Sequence, residues 1–410
     1  TAILLLAEAQ QELGRWADSL RLLDEAREAF SESEECCREV LRIGNARWLG
    51  TLTGSRLEEA TSVLLGIAES EIDLEVRAKA LSSSTLLISC SRSAADILRL
   101  GRLAEKLKAL ECDDYTRIHV LHATAWHKAH TGSPQFALPT LLEGVALIRQ
   151  TGTASSIATR TLLGTGVTLC QGGMYAEAEP ILREAYEFAK RLDNPGLTAN
   201  AASGMALVQG RLGDARAQAD WGRHAIRISA SHEWGICVLS AAYDQGVGLC
   251  LEERFSEAEA SLDEIDIRFG KGRPEWLQQA WQLCKADVLT LAGRDRRALA
   301  SARRALGTGP RELLHPCFAG QYARWVARTS LVDGTIEGGR RSIESLVSEL
   351  GKYDLKDQAE ILAACATLEQ VQTGTPSSKW ADVSARLDSL PESIRTLMRR
   401  FGMTCETEPA

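Results

Sequence analysis

Four of the seven histidines crowd into one stretch, at His119, His122, His127 and His130, with Trp126 among them. At about 100° per helical residue, His119, His122, Trp126 and His130 fall within an arc of roughly 80°, and Ile118, Leu121, Ala125 and Ala129 occupy another face. Imidazole and indole in such a stripe offer hydrogen bonds and flat apolar area at low entropic cost, which suits contact with a ligand. The same side chains are equally tolerated on an ordinary half-exposed helix. The i, i+3 spacing of His119 and His122 also supplies two metal ligands, but no carboxylate or cysteine nearby stands out as a third, so no metal site is assigned.

Patterns that would carry catalysis are missing. A nucleotide-binding loop needs glycines and a lysine before Ser or Thr at fixed spacing; Gly270-Lys271-Gly272 lacks the upstream glycine and the hydroxyl, and reads as a connecting loop. His232-Glu233 is followed by Trp234 and Gly235 without the second histidine of a zinc helix, and no G-x-S-x-G elbow occurs. Acidic pairs such as Glu34-Glu35 and Glu58-Glu59 sit on amphipathic patterns as solvated faces. The expectation is a protein that is not an enzyme and uses no cofactor.

Those residues must be positioned by the elements around them. Over 410 residues, 45% hydrophobic and 25% charged content is that of a folded chain with an ample core. A net charge of -8 gives no general attraction to nucleic acid or anionic lipid. Eleven cysteines without a C-x-x-C pair exclude the usual zinc spacing, and most fall in apolar helical patterns as reduced thiols do, which points to the cytoplasm. No apolar run approaches the ~18 residues of a membrane span and no leader opens the chain. Thr1 begins directly inside an amphipathic run, as in a piece of a longer protein.

Helix-breaking spots recur at Gly14, Gly54, Ser91, Gly132, Gly173, Gly210, Glu253, Gly293, Gly334 and Gly374, roughly forty residues apart. After most of them comes a large apolar residue and, three positions on, a small one: Trp16 with Ser19, Leu23 and Ala26; Tyr175 with Ala178, Leu182 and Ala185; Phe255 with Ala258, Leu262 and Ile265. A glycine admits the turn, the aromatic plugs the gap between two antiparallel helices, and the small residue lets their axes approach. Alternating β patterns are almost absent.

This Gly-x-aromatic-x-x-small signature resembles the tetratricopeptide repeat, with a period longer than that family's usual 34 residues. The long helices are similar to those at the C-terminal end of bacterial signalling (STAND-type) ATPases and of maltose-type transcription activators. The resemblance implies an all-α, right-handed superhelical solenoid of about ten antiparallel hairpins. It would run continuously over 1–390, with a capping helix at 391–402 and a frayed tail at 403–410. Aligned through Gly132 and Ala137, the stripe His119, His122, Trp126 and His130 lands on the inner curve of such a solenoid. Carried along the repeats, the alignment adds Arg160, Asn200, Tyr243, Asp287, Gln321, Arg324 and Arg328. Arg324 and Arg328, one turn apart, either hold a carboxylate or phosphate or form a solvated pair. Trp48, Trp221, Trp276, Trp281, Trp325 and Trp380 read as wedges between helices.

The function expected from this is recognition of a protein or peptide on the concave surface, within a larger bacterial regulatory protein and alongside an upstream domain of the same polypeptide. Neither nucleic acid nor membrane is an expected partner. Two alternatives stand beside it: a sensor of a small effector that controls an attached ATPase or DNA-binding domain, and a passive scaffold or oligomerisation arm.

Overall fold

The computed structural model describes residues 2–48, 54–91, 93–152, 154–229, 235–268, 275–308 and 318–401. The Gly270-Lys271-Gly272 loop, the His232–Trp234 segment and the tail expected at 403–410 lie outside the described residues, as does the side chain of Trp48. Among the described residues there are twenty-one α-helices and no strand. None is long and apolar enough to cross a membrane.

Twenty of the helices form ten pairs, each with a first (A) and a second (B) helix. They are α1 (Ala2–Glu12) with α2 (Trp16–Glu25), α3 (Glu32–Trp48) with α4 (Gly54–Glu69), α5 (Leu74–Ser91) with α6 (Ala94–Lys108), α7 (Asp114–Thr131) with α8 (Leu138–Thr151), and α9 (Ser156–Gln171) with α10 (Tyr175–Arg191). The series continues with α11 (Pro195–Leu212) and α12 (Ala215–Ser229), α13 (Gly235–Leu251) and α14 (Phe255–Arg268), α15 (Glu275–Leu291) and α16 (Asp295–Thr308), α17 (Ala319–Asp333) and α18 (Ile336–Ser348), and α19 (Leu355–Thr373) and α20 (Lys379–Asp388), before a last helix, α21 (Glu392–Arg400).

Local chemistry sets these boundaries. Several A helices open on a side-chain cap: Asp113 accepts from the Thr116 N–H, Ser155 from Ala158, Asn194 from Leu197 and Asp354 from Asp357. Seven A-to-B turns are made by residues in the left-handed region, namely Gly14, Gly173, Gly213, Glu253, Gly293, Gly334 and Gly374, whereas Gly132 after α7 is extended. The sixth turn is therefore at Gly213, with φ +90°, and not at Gly210, which lies inside α11. Behind the turns the repeat signature is buried as its chemistry requires: Trp16 and Tyr175 are almost covered, and Ser19, Ala178 and Ala258 are completely so. Buried Leu23, Leu182 and Leu262 each contribute ~1.5–3 kcal/mol by leaving water. The thiols of Cys170, Cys250, Cys284 and Cys365 are in no disulfide among the described residues and are buried, behaving as small hydrophobes.

The chain forms two compact units. Unit 1 comprises residues 1–169, 176–205 and 224–238; unit 2 comprises 170–175, 206–223 and 239–410. In unit 1, α5 packs more closely on α7 than α4 does on α6. In unit 2, α17 packs on α15 and α19, and no comparably close approach joins the B helices α16 and α18. Tighter spacing in the A layer bends a stack towards that layer, so the A helices form the inner side of each unit. In unit 1 the bend is strong enough for Glu12, at the end of α1, to accept from the Ser156 N–H at 2.8 Å, while Asn194 donates to the Glu12 carbonyl at 2.8 Å.

Candidate functional site

The inner side of unit 1 collects polar groups from α1, α5, α7 and α9. His119 is buried at 5% exposure, and its Nδ1 lies 2.7 Å from Ser82 Oγ on α5. Its Nε2 is buried without a hydrogen-bond partner among the described residues. Either tautomer leaves that atom unspent: as a bare lone pair if Nδ1 donates to Ser82, as an N–H if Ser82 donates to Nδ1. Burial pushes the His119 pKa well down, and the Lys79 and Arg160 cations push the same way, so the ring is neutral at physiological pH. Lys79 forms ion pairs with Glu8 of α1 and Glu75, and its ammonium lies 5.4 Å from the Tyr115 ring centroid. Burial raises the Tyr115 hydroxyl to about 12. Half-buried Arg160 donates to Ser156 Oγ at 3.2 Å, and His122 Nδ1 lies 3.4 Å from Thr161 Oγ1.

The far end of the histidine stripe is engaged within α7 and with α5, where Ser89 Oγ lies 3.4 Å from His130 Nε2. Trp126 and His130 stack, and His130 Nδ1 lies 3.0 Å from the Trp126 carbonyl. His127 packs against Gly101 of α6, where a Cβ would collide with its ring. Asn200 lies half-buried on α11. Among the described residues no group of three or more His, Cys, Asp or Glu is arranged to hold a metal ion.

Unit 2 gathers its inner polar residues into one buried network. Arg324 of α17 donates to Asp287 Oδ2 at 2.5 Å and to Glu360 Oε1 at 2.7 Å, and both carboxylates are fully buried. Asp287 also accepts from Gln321 Nε2 at 2.8 Å, Trp325 Nε1 at 2.7 Å and the Tyr243 hydroxyl at 3.5 Å. Lys356 pairs with Glu360 at 2.8 Å. Burial alone would push the Glu360 carboxyl up, but Arg324 and Lys356 overcome it and hold it below its usual range. Burial likewise works against the Arg324 cation, and Asp287 and Glu360 more than compensate, raising its pKa. Asp357 goes the other way: burial and then the Asp354 charge push its carboxyl well up. Burial raises Asp244 to about 6, against the opposing hydrogen bond from Gln218.

Arg328 stands apart from this network, donating to Thr290 Oγ1 at 3.3 Å and Asp295 Oδ1 at 2.6 Å. The solvated Arg324–Arg328 pair weighed from sequence does not exist: Arg324 is buried at 7% exposure, and each guanidinium has its own carboxylate partner. Of the tryptophans, Trp281 and Trp325 are buried as wedges, and each spends its indole N–H on a carboxylate, Asp266 and Asp287 respectively.

No protein-family description matches this chain, and no curated protein matches it in sequence. Solved structures do match in shape. A Rap protein complexed with competence and sporulation factor is 14% identical, with a TM-score of 0.53 over 96% of this chain and 99% of that one. NprR in complex with its cognate peptide NprX is 13% identical, with a TM-score of 0.52 over 83% of this chain and 97% of that one. This is a tetratricopeptide-repeat fold. A signal transduction ATPase with numerous domains and a tetratricopeptide repeat sensor, from Pyrococcus horikoshii, is 17% identical with a TM-score of 0.49 over 70% of this chain, which spans 43% of that ATPase.

Within this tetratricopeptide-repeat fold, sequence reasoning missed four inner residues of unit 2: Arg211, Lys356, Asp357 and Glu360. Glu360 follows Arg324 by one repeat, so extending the register to α19 would have found it. Arg211 lies three turns beyond Asn200 on α11 and therefore on the same face. Among the described residues its half-buried guanidinium makes no hydrogen bond or ion pair, although Asp354, Tyr175, Tyr243 and Asp244 surround it and raise its pKa against the effect of burial. Unit 2 also holds buried polar atoms without a hydrogen-bond partner among the described residues: Gln218 Oε1, Gln321 Oε1, Glu360 Oε2 and Arg324 Nε. Both glutamine amides are oriented by their N–H donation to Asp244 and Asp287, so the orphaned atoms are acceptors.

Proposed function

We propose that this chain is a non-catalytic recognition module that binds a protein or peptide along the inner, A-helix side of its repeats. The observation that carries the reading is the unspent hydrogen-bonding capacity on that side of unit 2. Gln321 Oε1 and Arg324 Nε on α17, Glu360 Oε2 on α19 and the Arg211 guanidinium on α11 make up that capacity, and each orphaned buried atom costs about 1–3 kcal/mol. A peptide, with its amide and side-chain donors and acceptors, supplies partners for groups of this kind. A Rap protein and NprR, which share the fold, were solved with a factor and a cognate peptide bound.

In unit 1 the same reading assigns contact to His119 Nε2, His122, Trp126, His130, Arg160 and Asn200, and in unit 2 to Tyr243, Asp287, Gln321, Arg324 and Arg328. The reading takes the chain as part of a larger bacterial regulatory protein, on the strength of the long repeat period, and as cytoplasmic, on the strength of cysteines that lie in apolar helical patterns.

Panning a displayed random-peptide library against the immobilised chain tests this. The expected result is a set of peptides whose affinity falls at least about tenfold with His122→Ala, Trp126→Ala or Arg324→Ala, a loss typical of a contact residue. Peptides insensitive to all three substitutions but sensitive to changes on the B helices would contradict it.

A further inference from the structure

The last helix, α21, does not simply follow α20 along the stack. Ser393 donates to the Arg211 carbonyl at 2.9 Å, 182 residues back in the chain. At Gly213 an added Cβ would sit 3.2 Å from the Ser393 Cβ, closer than ordinary contact, so the bare turn after α11 lets the helix approach by a few tenths of an ångström more than a side chain would. At the other end, the Phe401 ring covers Arg324, with the guanidinium carbon 3.9 Å from the ring centroid. Ile394, Leu397, Met398 and Phe401 are all buried, while Glu392, Arg399 and Arg400 are exposed.

Those four anchors fall at i, i+3, i+4 and i+7, the spacing by which an amphipathic helix enters a groove. A nine-residue helix has little stability of its own in water, so its order derives from the surface beneath it. Only Ser389 to Pro391 join it to α20. Its polar face is satisfied internally, with Arg395 and Arg399 both donating to Glu392, so leaving the surface breaks few bonds to the body of unit 2.

We propose that the inner face of unit 2, from Arg211 and Gly213 to Arg324, is a receptor for an amphipathic helix with this anchor spacing and an aromatic last anchor, and that α21 is its resident, displaceable occupant. This rests on the recognition reading and narrows it. A partner helix of the same pattern binds by replacing α21 and placing its own aromatic ring on Arg324. The resident helix lowers the apparent affinity of any such partner by the fraction of time it is docked.

The probe for this is a labelled synthetic peptide of residues 391–401, added to the full chain and followed by fluorescence anisotropy. Met398→Asp in the full chain puts a charge on the buried face of the resident helix and frees the surface. That variant should bind the peptide at least about tenfold more tightly than the unsubstituted chain does. Adding Arg324→Ala to the chain, or Phe401→Ala to the peptide, should remove the gain. Equal binding to the unsubstituted and Met398→Asp chains, or a gain that survives Arg324→Ala, overturns the proposal. Should Met398→Asp fail to fold, hydrogen exchange on the unsubstituted chain decides: α21 amides should exchange well before those of α17 and α19, and exchange only with global unfolding overturns it. Library peptides that bind elsewhere on the inner faces while this probe fails would leave recognition standing and remove only the helix receptor.

Discussion

At the scale of single residues, the account turns on Arg324. Its charge neutralises two buried carboxylates, so removing it leaves Asp287 without a cationic partner and Glu360 with Lys356 alone. Arg324→Met should cost about 3–5 kcal/mol in a urea titration, far more than loss of an exposed ion pair. Asp244 provides a test of opposite sense. Its folded pKa of about 6 lies above the ordinary aspartate value of 3.8, so the folded state holds its proton more tightly than the unfolded chain. That stabilisation is complete below about pH 4 and is lost as pH rises to about 6. Asp244→Asn should flatten this window in urea titrations at stepped pH, and at pH 7 should gain on the order of 2 kcal/mol. The residue scale was also where sequence reading was weakest. Arg324 was placed on the inner side, but its burial and its carboxylate partners depend on Asp287 and Glu360 arriving from neighbouring repeats, a distance that no local pattern encodes.

At the scale of elements, far more was legible. The aromatic and small residues after most turns predict which side chains interlock, and Trp16, Ser19, Tyr175, Ala178 and Ala258 are buried accordingly. The turn assigned to Gly210 was displaced to Gly213 because two glycines compete there, and only the second adopts a positive φ. Glycines inside helices could not be sorted from sequence, since their value depends on what lies opposite. At Gly248 of α13 an added Cβ would sit 2.5 Å from the Ala215 carbonyl of α12, a backbone atom that cannot move aside. At Gly66 of α4 it would meet nothing within 4 Å. Gly248→Ala should therefore destabilise by roughly 2 kcal/mol or more, while Gly66→Ala should stabilise by about 0.5–1 kcal/mol through helix propensity. Circular dichroism melts of the two variants separate these outcomes, and a shift of the same sign in both would contradict the packing argument.

At the scale of the whole molecule, the forty-residue period was enough to predict an all-α stack of ten hairpins, because each pair has apolar sides that only another pair can cover. The period does not reveal that α21 returns to the turn after α11, since nothing in an amphipathic nine-residue segment says which surface will receive it. Nor does it show that unit 2 fills its inner side with its own charges, whereas unit 1 leaves a mixture of imidazole, indole and guanidinium there. The central claim is that ligands meet the A helices. A library-selected peptide carrying a photoreactive benzophenone, cross-linked to the full chain and mapped by mass spectrometry, measures this directly. Attachment within α5, α7 and α9 of unit 1, or α13, α15, α17 and α19 of unit 2, is the predicted result; attachment confined to α4, α6, α16 and α18 would contradict it.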